Sequence, residues 1–178
     1  MELTCFVEIP RGSRNKYEYD ERRGVIRLDR HLFSSVVFPA DYGFLERTLT
    51  EDGSHLDALV LVNEPTFPGC RIDVRPVGLF QMRDESGVDD KVLCVPVGDP
   101  EWRDVHELDD VSERLREEIA HFFAVYVELE PDRVTAVEGW AGRAEAEREV
   151  EAALARFGAG DDGAEPGELA PERRWSGR

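Results

Sequence analysis

Glu51-Asp52-Gly53-Ser54-His55-Leu56-Asp57-Ala58-Leu59-Val60-Leu61-Val62 sets an acid-rich loop directly before five consecutive apolar residues. Residues 57–63 read as a buried strand, and Pro65, Pro68 and Gly69 break the chain after it. Whatever folds around this strand carries a dense group of carboxylates at the strand's leading end.

Outward from it, the same kind of segment recurs. Residues 3–9 form a mostly apolar run ended by Pro10 and Gly12. Residues 16–20 and 24–28 read as two arms of a hairpin, with the polar stretch 20–23 as its turn. Downstream, 72–82 and 91–95 are two further strands joined by a polar loop through Gly87. The pattern then changes period. Leu115, Ile119, Phe122, Phe123 and Tyr126 recur at helical spacing, with Asp110 and Glu113 as a capping box and Pro131 beyond the end. A short strand over 134–137 precedes a second helix, about 143–157, whose apolar face is Ala146, Val150, Ala153, Leu154 and Phe157, with Gly158 as a stop. Many short strands followed by helices predict an α+β chain, mainly β: a barrel or compact sheet with helices packed outside it. Residues 1–158 read as one domain. Residues 159–178 are rich in Gly, Ala, Pro, Asp and Glu and bury too little to offset their ordering entropy, so a disordered tail is expected there.

The chain of 178 residues is 41% hydrophobic, enough for one sizeable core. Asp and Glu number 39 against 22 Lys and Arg, a formal net charge of -17. Nucleic-acid binding relies on Lys and Arg displacing counterions, so this balance argues against it and favours a divalent cation. Cys5, Cys70 and Cys94 form no metal-binding spacing; Cys5 and Cys94 sit in apolar runs and read as buried free thiols, consistent with a cytoplasmic protein. No segment reads as a membrane span or a secretory signal.

Carboxylates concentrate in two loops, 51–57 and 84–90, each leading into an apolar strand. Carboxylates at that density repel unless a cation lies among them, and hard oxygen ligands favour magnesium, calcium or manganese over zinc. Alone, such loops also read as solvated acidic turns. Neither has the EF-hand pattern, and no Walker loop or Ser-His-Asp arrangement is present. Lys16, Arg30 and Lys91 are candidates to hold an anion, with Tyr42 and Tyr126 as hydroxyl donors; taken singly, each reads first as solvated surface or packed core.

Several motifs in order resolve that ambiguity. Glu8-Ile9-Pro10, Asn15-Lys16-Tyr17-Glu18, Leu28-Asp29-Arg30 and Phe38-Pro39-Ala40-Asp41-Tyr42-Gly43-Phe44 resemble successive segments of the family I soluble inorganic pyrophosphatases. Asp52-Gly53-Ser54-His55-Leu56-Asp57 falls where that family has its Asp-Gly-Asp-Pro-x-Asp signature. Residues 82–91, His121-Phe122-Phe123-Ala124-Val125-Tyr126 and Glu138-Gly139-Trp140 continue the resemblance, which runs from about residue 3 to 157. It implies a five-stranded β-barrel of the oligonucleotide/oligosaccharide-binding type with flanking C-terminal helices, assembled as a homohexamer. It further implies magnesium-dependent hydrolysis of pyrophosphate to two phosphates. By position, Glu8, Asp52, Asp57, Asp84 and Asp89 match metal ligands, with Asp57 and Asp89 nearest the catalytic chemistry. Lys16, Arg30, Tyr42, Lys91 and Tyr126 match groups that hold pyrophosphate and phosphate.

Four positions depart from the pattern. Ser54 replaces the central signature aspartate, which in the family lies beside the attacking water. His55 replaces a proline, Val127 a phosphate-binding lysine and Phe38 a tyrosine. Loss of a general base typically costs 10²- to 10⁴-fold in rate. The reading is therefore a pyrophosphatase with reduced activity. The alternatives are a catalytically degenerate paralogue that binds pyrophosphate, phosphate or metal, or a hydrolase of another phosphoanhydride.

Overall fold

The computed structural model describes residues 1–160. Nine strands occur among them: β1 (Leu3–Ile9), β2 (Asn15–Asp20), β3 (Val25–His31), β4 (Asp41–Leu45), β5 (Asp57–Val60), β6 (Arg71–Asp84), β7 (Gly87–Val88), β8 (Lys91–Pro96) and β9 (Thr135–Gly142). The helices are α1 (Glu113–Val125) and α2 (Arg143–Gly160). Strands β1, β4, β5, β8 and β6 hydrogen-bond in that order, and β6 also pairs with β1. That last pairing closes a five-stranded barrel, the architecture the resemblance implies. The 14-residue β6 outruns the barrel, and its far half pairs with β7 and β9. Strands β2 and β3 form a separate hairpin.

The unbroken apolar run of β5 has a simple cause. Leu59 and Leu61 point into a core shared with Phe38, Phe80, Ile119, Phe122 and Phe123, whereas Ala58, Val60 and Val62 point to a second core under α2. Its parallel partner β8 divides the same way, with Leu93 and Val95 on the first side and Val92 and Cys94 on the second. Strands covered on both faces lose the polar alternation of a half-exposed sheet. Helix α1 caps the first core. Helix α2 closes the second with Ala146, Val150 and Ala153, all fully buried, the face that the periodicity predicts.

Some boundaries differ from the sequence reading. Helix α1 begins at Glu113 behind Ser112, whose hydroxyl accepts from Leu115 N at 3.3 Å. Asp110 instead accepts from the His106 and Glu107 amides, both at 2.9 Å, and caps the short 3-10 turn at Leu108–Asp110. The extended Val111 separates the two elements, so Asp110 and Glu113 cannot serve one capping box. Helix α2 runs through Gly158 to Gly160, since one glycine costs a helix only about 1 kcal/mol. The helix thus passes the stop placed at Gly158. The remainder of the expected tail, 161–178, lies outside the described residues. Strand β4 has no counterpart in the sequence reading. It is short, and it carries Asp41 and Gly43, two residue types depleted from strands.

Candidate active site

The barrel brings strand ends together, and each end carries a charge. Asp57 opens β5, Lys91 opens β8 and Asp84 closes β6. Because β5 and β8 are parallel with Ala58 opposite Val92, Asp57 and Lys91 emerge side by side. The Lys91 ammonium lies 3.0 Å from Asp57 Oδ2 and 2.8 Å from Asp89 Oδ1. It also sits over the rings of Tyr42 and Phe123, 5.4 and 5.6 Å from their centroids. The Tyr42 hydroxyl donates to the same Asp57 oxygen.

Lys91 is buried while Asp57 and Asp89 keep about a quarter of their side-chain surface exposed, and the ionisations of Lys91, Tyr42 and Asp89 shift. Burial alone would lower Lys91; Asp57 and Asp89 more than offset it and hold the ammonium above its ordinary range. Burial raises Tyr42, and Asp57 and Asp89 add to the effect. Asp89 is raised by burial and by its neighbours Asp57 and Asp84, although Lys91 opposes the rise.

A cavity of about 440 Å³ opens beside the cluster. Asp52, Asp57, Asp84 and Asp89 all line it, so four of the five proposed metal ligands share one space. Asp52 is held low by hydrogen bonds from the Thr50 hydroxyl and from the Ser54 amide and hydroxyl. Ser54 therefore leans on Asp52, its Oγ 2.8 Å from Oδ1. Asp84 Oδ1 accepts from the Ser86 amide at 2.7 Å and the Gly87 amide at 3.2 Å. Gly53 turns the acid loop at φ +88°, where a side chain would be strained.

Glu8, the fifth, lies on β1 and accepts from Tyr19 N at 2.7 Å. Burial raises its carboxyl to about 7, with the nearby Asp57 charge contributing. Lys16 and Arg30 sit on the hairpin, and neither lines the cavity. Lys16 and Arg30 face each other across β2 and β3. Lys16 pairs with Glu18 at 2.6 Å and Asp29 at 3.5 Å; Arg30 pairs with Asp29 and, at 2.9 Å, with the buried Glu130. Tyr126 packs on Phe122 and Phe123; burial raises its hydroxyl, and Lys91, Asp89 and Arg30 act on it electrostatically.

Two departures from the family pattern are buried outright. Val127 is 3% exposed, and Phe38, 2% exposed, packs against Tyr42 and Phe122. The cavity wall also holds residues the sequence reading passed over: Asp90, and Glu149 and Arg156 from α2. Arg156 reaches Glu51 at 3.4 Å and Glu149 at 3.7 Å. Only the docking of α2 against the acid loop brings them there.

The donor set fits a hard divalent cation, since seven of the fourteen residues lining the cavity are carboxylates. Among the described residues, no three carboxylate, imidazole or thiol groups converge on one point. Asp57 and Asp89 are engaged by Lys91, and Asp57 also by Tyr42.

A small closed barrel with an acid-lined cavity and a buried lysine at its edge is the arrangement of a metal-assisted enzyme acting on a polyanion. The comparisons with known proteins agree. The family model for inorganic pyrophosphatase matches residues 5–158. The inorganic pyrophosphatase of Streptomyces coelicolor is 55% identical over 157 residues, covering 88% of this chain and 96% of that protein. That of Leifsonia xyli is 51% identical over 151 residues, covering 85% and 93%. The crystal structure of inorganic pyrophosphatase from Thermus thermophilus superposes with a TM-score of 0.86 at 44% identity, covering 88% and 91%. The chain belongs to the inorganic pyrophosphatase family.

Proposed function

We propose that this chain hydrolyses inorganic pyrophosphate to two phosphates, using magnesium held by Asp52, Asp57, Asp84 and Asp89 with Glu8 beside them. Family membership supports the reaction. The observation that carries the site is Lys91, buried between Asp57 and Asp89 at the edge of the cavity that all four aspartates line.

Pyrophosphate is a polyanion, so a nucleophile approaching phosphorus meets repulsion. Bound magnesium would neutralise that charge and acidify a water. The protein's own groups do the rest. Lys16 and Arg30 on the hairpin, with Lys91 in the barrel, attract and orient the anion. The Tyr42 and Tyr126 hydroxyls stay protonated through the physiological range because both are raised, so they serve as hydrogen-bond donors. Asp57 and Asp89 carry the charge nearest the reacting region, and Lys91 and Tyr42 fix their orientation. Lysine and arginine charge then stabilises the departing phosphate.

Activity is reduced in this reading, because Ser54 brings a hydroxyl where a carboxylate would accept a proton. That hydroxyl is already committed to Asp52. The test is phosphate release from pyrophosphate at pH 7–8 with millimolar magnesium, for the unmodified chain and Ser54→Asp. We expect magnesium-dependent release that Ser54→Asp accelerates by about 10²-fold or more. No release from either protein would refute the enzyme assignment, and equal rates would refute the role given to position 54.

We place the protein in the cytoplasm as a homohexamer. Exposed Leu28, Phe33 and Phe67 supply apolar surface that self-association would cover. Among the described residues, no helix is long and apolar enough to cross a membrane. Sedimentation equilibrium should return about six times the 20.2 kDa chain mass; a monomer mass contradicts the assembly.

A further inference from the structure

His55 follows Ser54 in the acid loop, two residues before Asp57, and it is held on every side. Its Nδ1 lies 2.7 Å from the Thr48 carbonyl oxygen. That oxygen only accepts, so Nδ1 carries the hydrogen and donates it. Nε2 lies 2.7 Å from Glu21 Oε1, in the turn between β2 and β3. The ring stacks on Phe44 of β4, with centroids 4.6 Å apart and planes 9° from parallel. Phe157 of α2 approaches at 6.4 Å. Hairpin turn, barrel strand and C-terminal helix thus meet on one imidazole.

The loop needs such a brace. Gly53 is free of side-chain restraint, and no proline fixes φ between Thr50 and Asp57. Thr48 anchors the loop's two ends. It is fully buried, its hydroxyl donates to Leu45 O at 2.6 Å, and its own Oγ1 accepts from Leu56 N at 2.9 Å. Leu49 N donates to the α2 carbonyl of Ala153 at 3.0 Å. His55 extends this anchorage from the loop's ends to the segment between Asp52 and Asp57.

We propose that His55 is a positioning residue: by clamping the acid loop to the hairpin, β4 and α2, it sets how tightly Asp52 and Asp57 hold the divalent cation. The inference rests on the reading of those two aspartates as metal ligands. Side chains that orient metal ligands typically govern 10- to 100-fold of affinity.

The experiment is magnesium titration by calorimetry, well below the unfolding transition, on the unmodified chain and three variants: His55→Ala, Asp57→Asn and Val111→Ala. Val111 is a buried residue of the other core and controls for general destabilisation. His55→Ala should raise the magnesium Kd about tenfold. Asp57→Asn should weaken binding as well, and Val111→Ala should leave it within twofold. An unchanged Kd in His55→Ala, alongside weakened binding in Asp57→Asn, overturns the clamp and leaves the metal site standing. Unchanged binding in Asp57→Asn overturns the site reading and the clamp with it. Equal weakening in Val111→Ala overturns the clamp as a specific effect. Should His55→Ala fail to fold, the exposed Glu21→Ala, which removes the partner of Nε2 outright, replaces it: a rise in Kd of about two- to threefold supports the clamp, and no change overturns it.

Discussion

Lys91 Nζ lies 3.0 Å from Asp57 Oδ2, and the lysine side chain is only 2% exposed. A charge so placed is stable only while its partners remain. Asp57 and Asp89, about a quarter exposed, depend on it in turn. Lys91→Met removes the one cation between two carboxylates. We expect the metal-free protein to lose about 2–4 kcal/mol in urea unfolding. Magnesium should recover part of that loss, since a divalent ion can separate the same carboxylates. Turnover should fall about 10²-fold with the loss of charge beside the departing phosphate. Unaltered metal-free stability would show that the pair contributes nothing.

Glu8 gives the metal-free protein a pH dependence of known sign. Burial raises its carboxyl from 4.5 to about 7. Between those values the folded chain keeps a proton that the unfolded chain has released. The contribution of Glu8 to stability therefore rises as pH falls from 8 towards 5. Glu8→Gln should flatten that dependence and stabilise the metal-free protein at pH 8 by about 1–2 kcal/mol. Denaturant titrations at pH 5, 6, 7 and 8 on both proteins provide the check; superimposable profiles contradict the prediction.

Gly43 lies opposite Val7 where β4 crosses β1. A Cβ there would come within 1.9 Å of the Phe6 carbonyl oxygen and 2.8 Å of its carbon. Both atoms belong to barrel backbone and cannot swing aside. Gly43→Ala should cost about 3 kcal/mol or more, visible as a large drop in Tm or a failure to fold. A Tm within a few degrees of the unmodified chain would show that β1 and β4 can part at that point.

Asp41, fully buried beside Tyr42, accepts from Arg11 N at 2.7 Å, Thr66 N at 3.1 Å and Thr66 Oγ1 at 2.5 Å. Asp41→Ala strands these donors, so we expect a loss of about 2–4 kcal/mol. Since Tyr42 follows directly and bonds Asp57, kcat should fall with it. Circular dichroism melts and the phosphate-release assay read the two effects separately. Unchanged kcat would detach Asp41 from the site.

The acid loops, the apolar strands and the faces of both helices were legible because they are local: each depends on residues within a turn or a strand of one another. Ala58 to Val62 reads as buried whichever neighbours cover it. The capping of α1 was misread because Asp110 and Ser112 offer equivalent side chains, and only the extended Val111 between them decides which one caps the helix. Strand β4 stayed hidden because its Asp41 and Gly43 are chosen by tertiary contacts, a buried hydrogen-bond network and a close backbone approach, against strand propensity.

By itself, then, the sequence determined the family, the period of both helices and of the long apolar strands, and the chemical type of the site: carboxylates at strand ends, with cations and phenols to meet an anion. It also exposed Ser54 between Asp52 and Asp57. Tertiary structure alone decided that β6 returns to β1 and closes the barrel, and that Lys91 lies buried between Asp57 and Asp89. It alone set His55 among Thr48, Glu21, Phe44 and Phe157. Each of these joins residues far apart in the chain. Their positions follow from how strands pair and how two cores fill, which no local run of residues specifies.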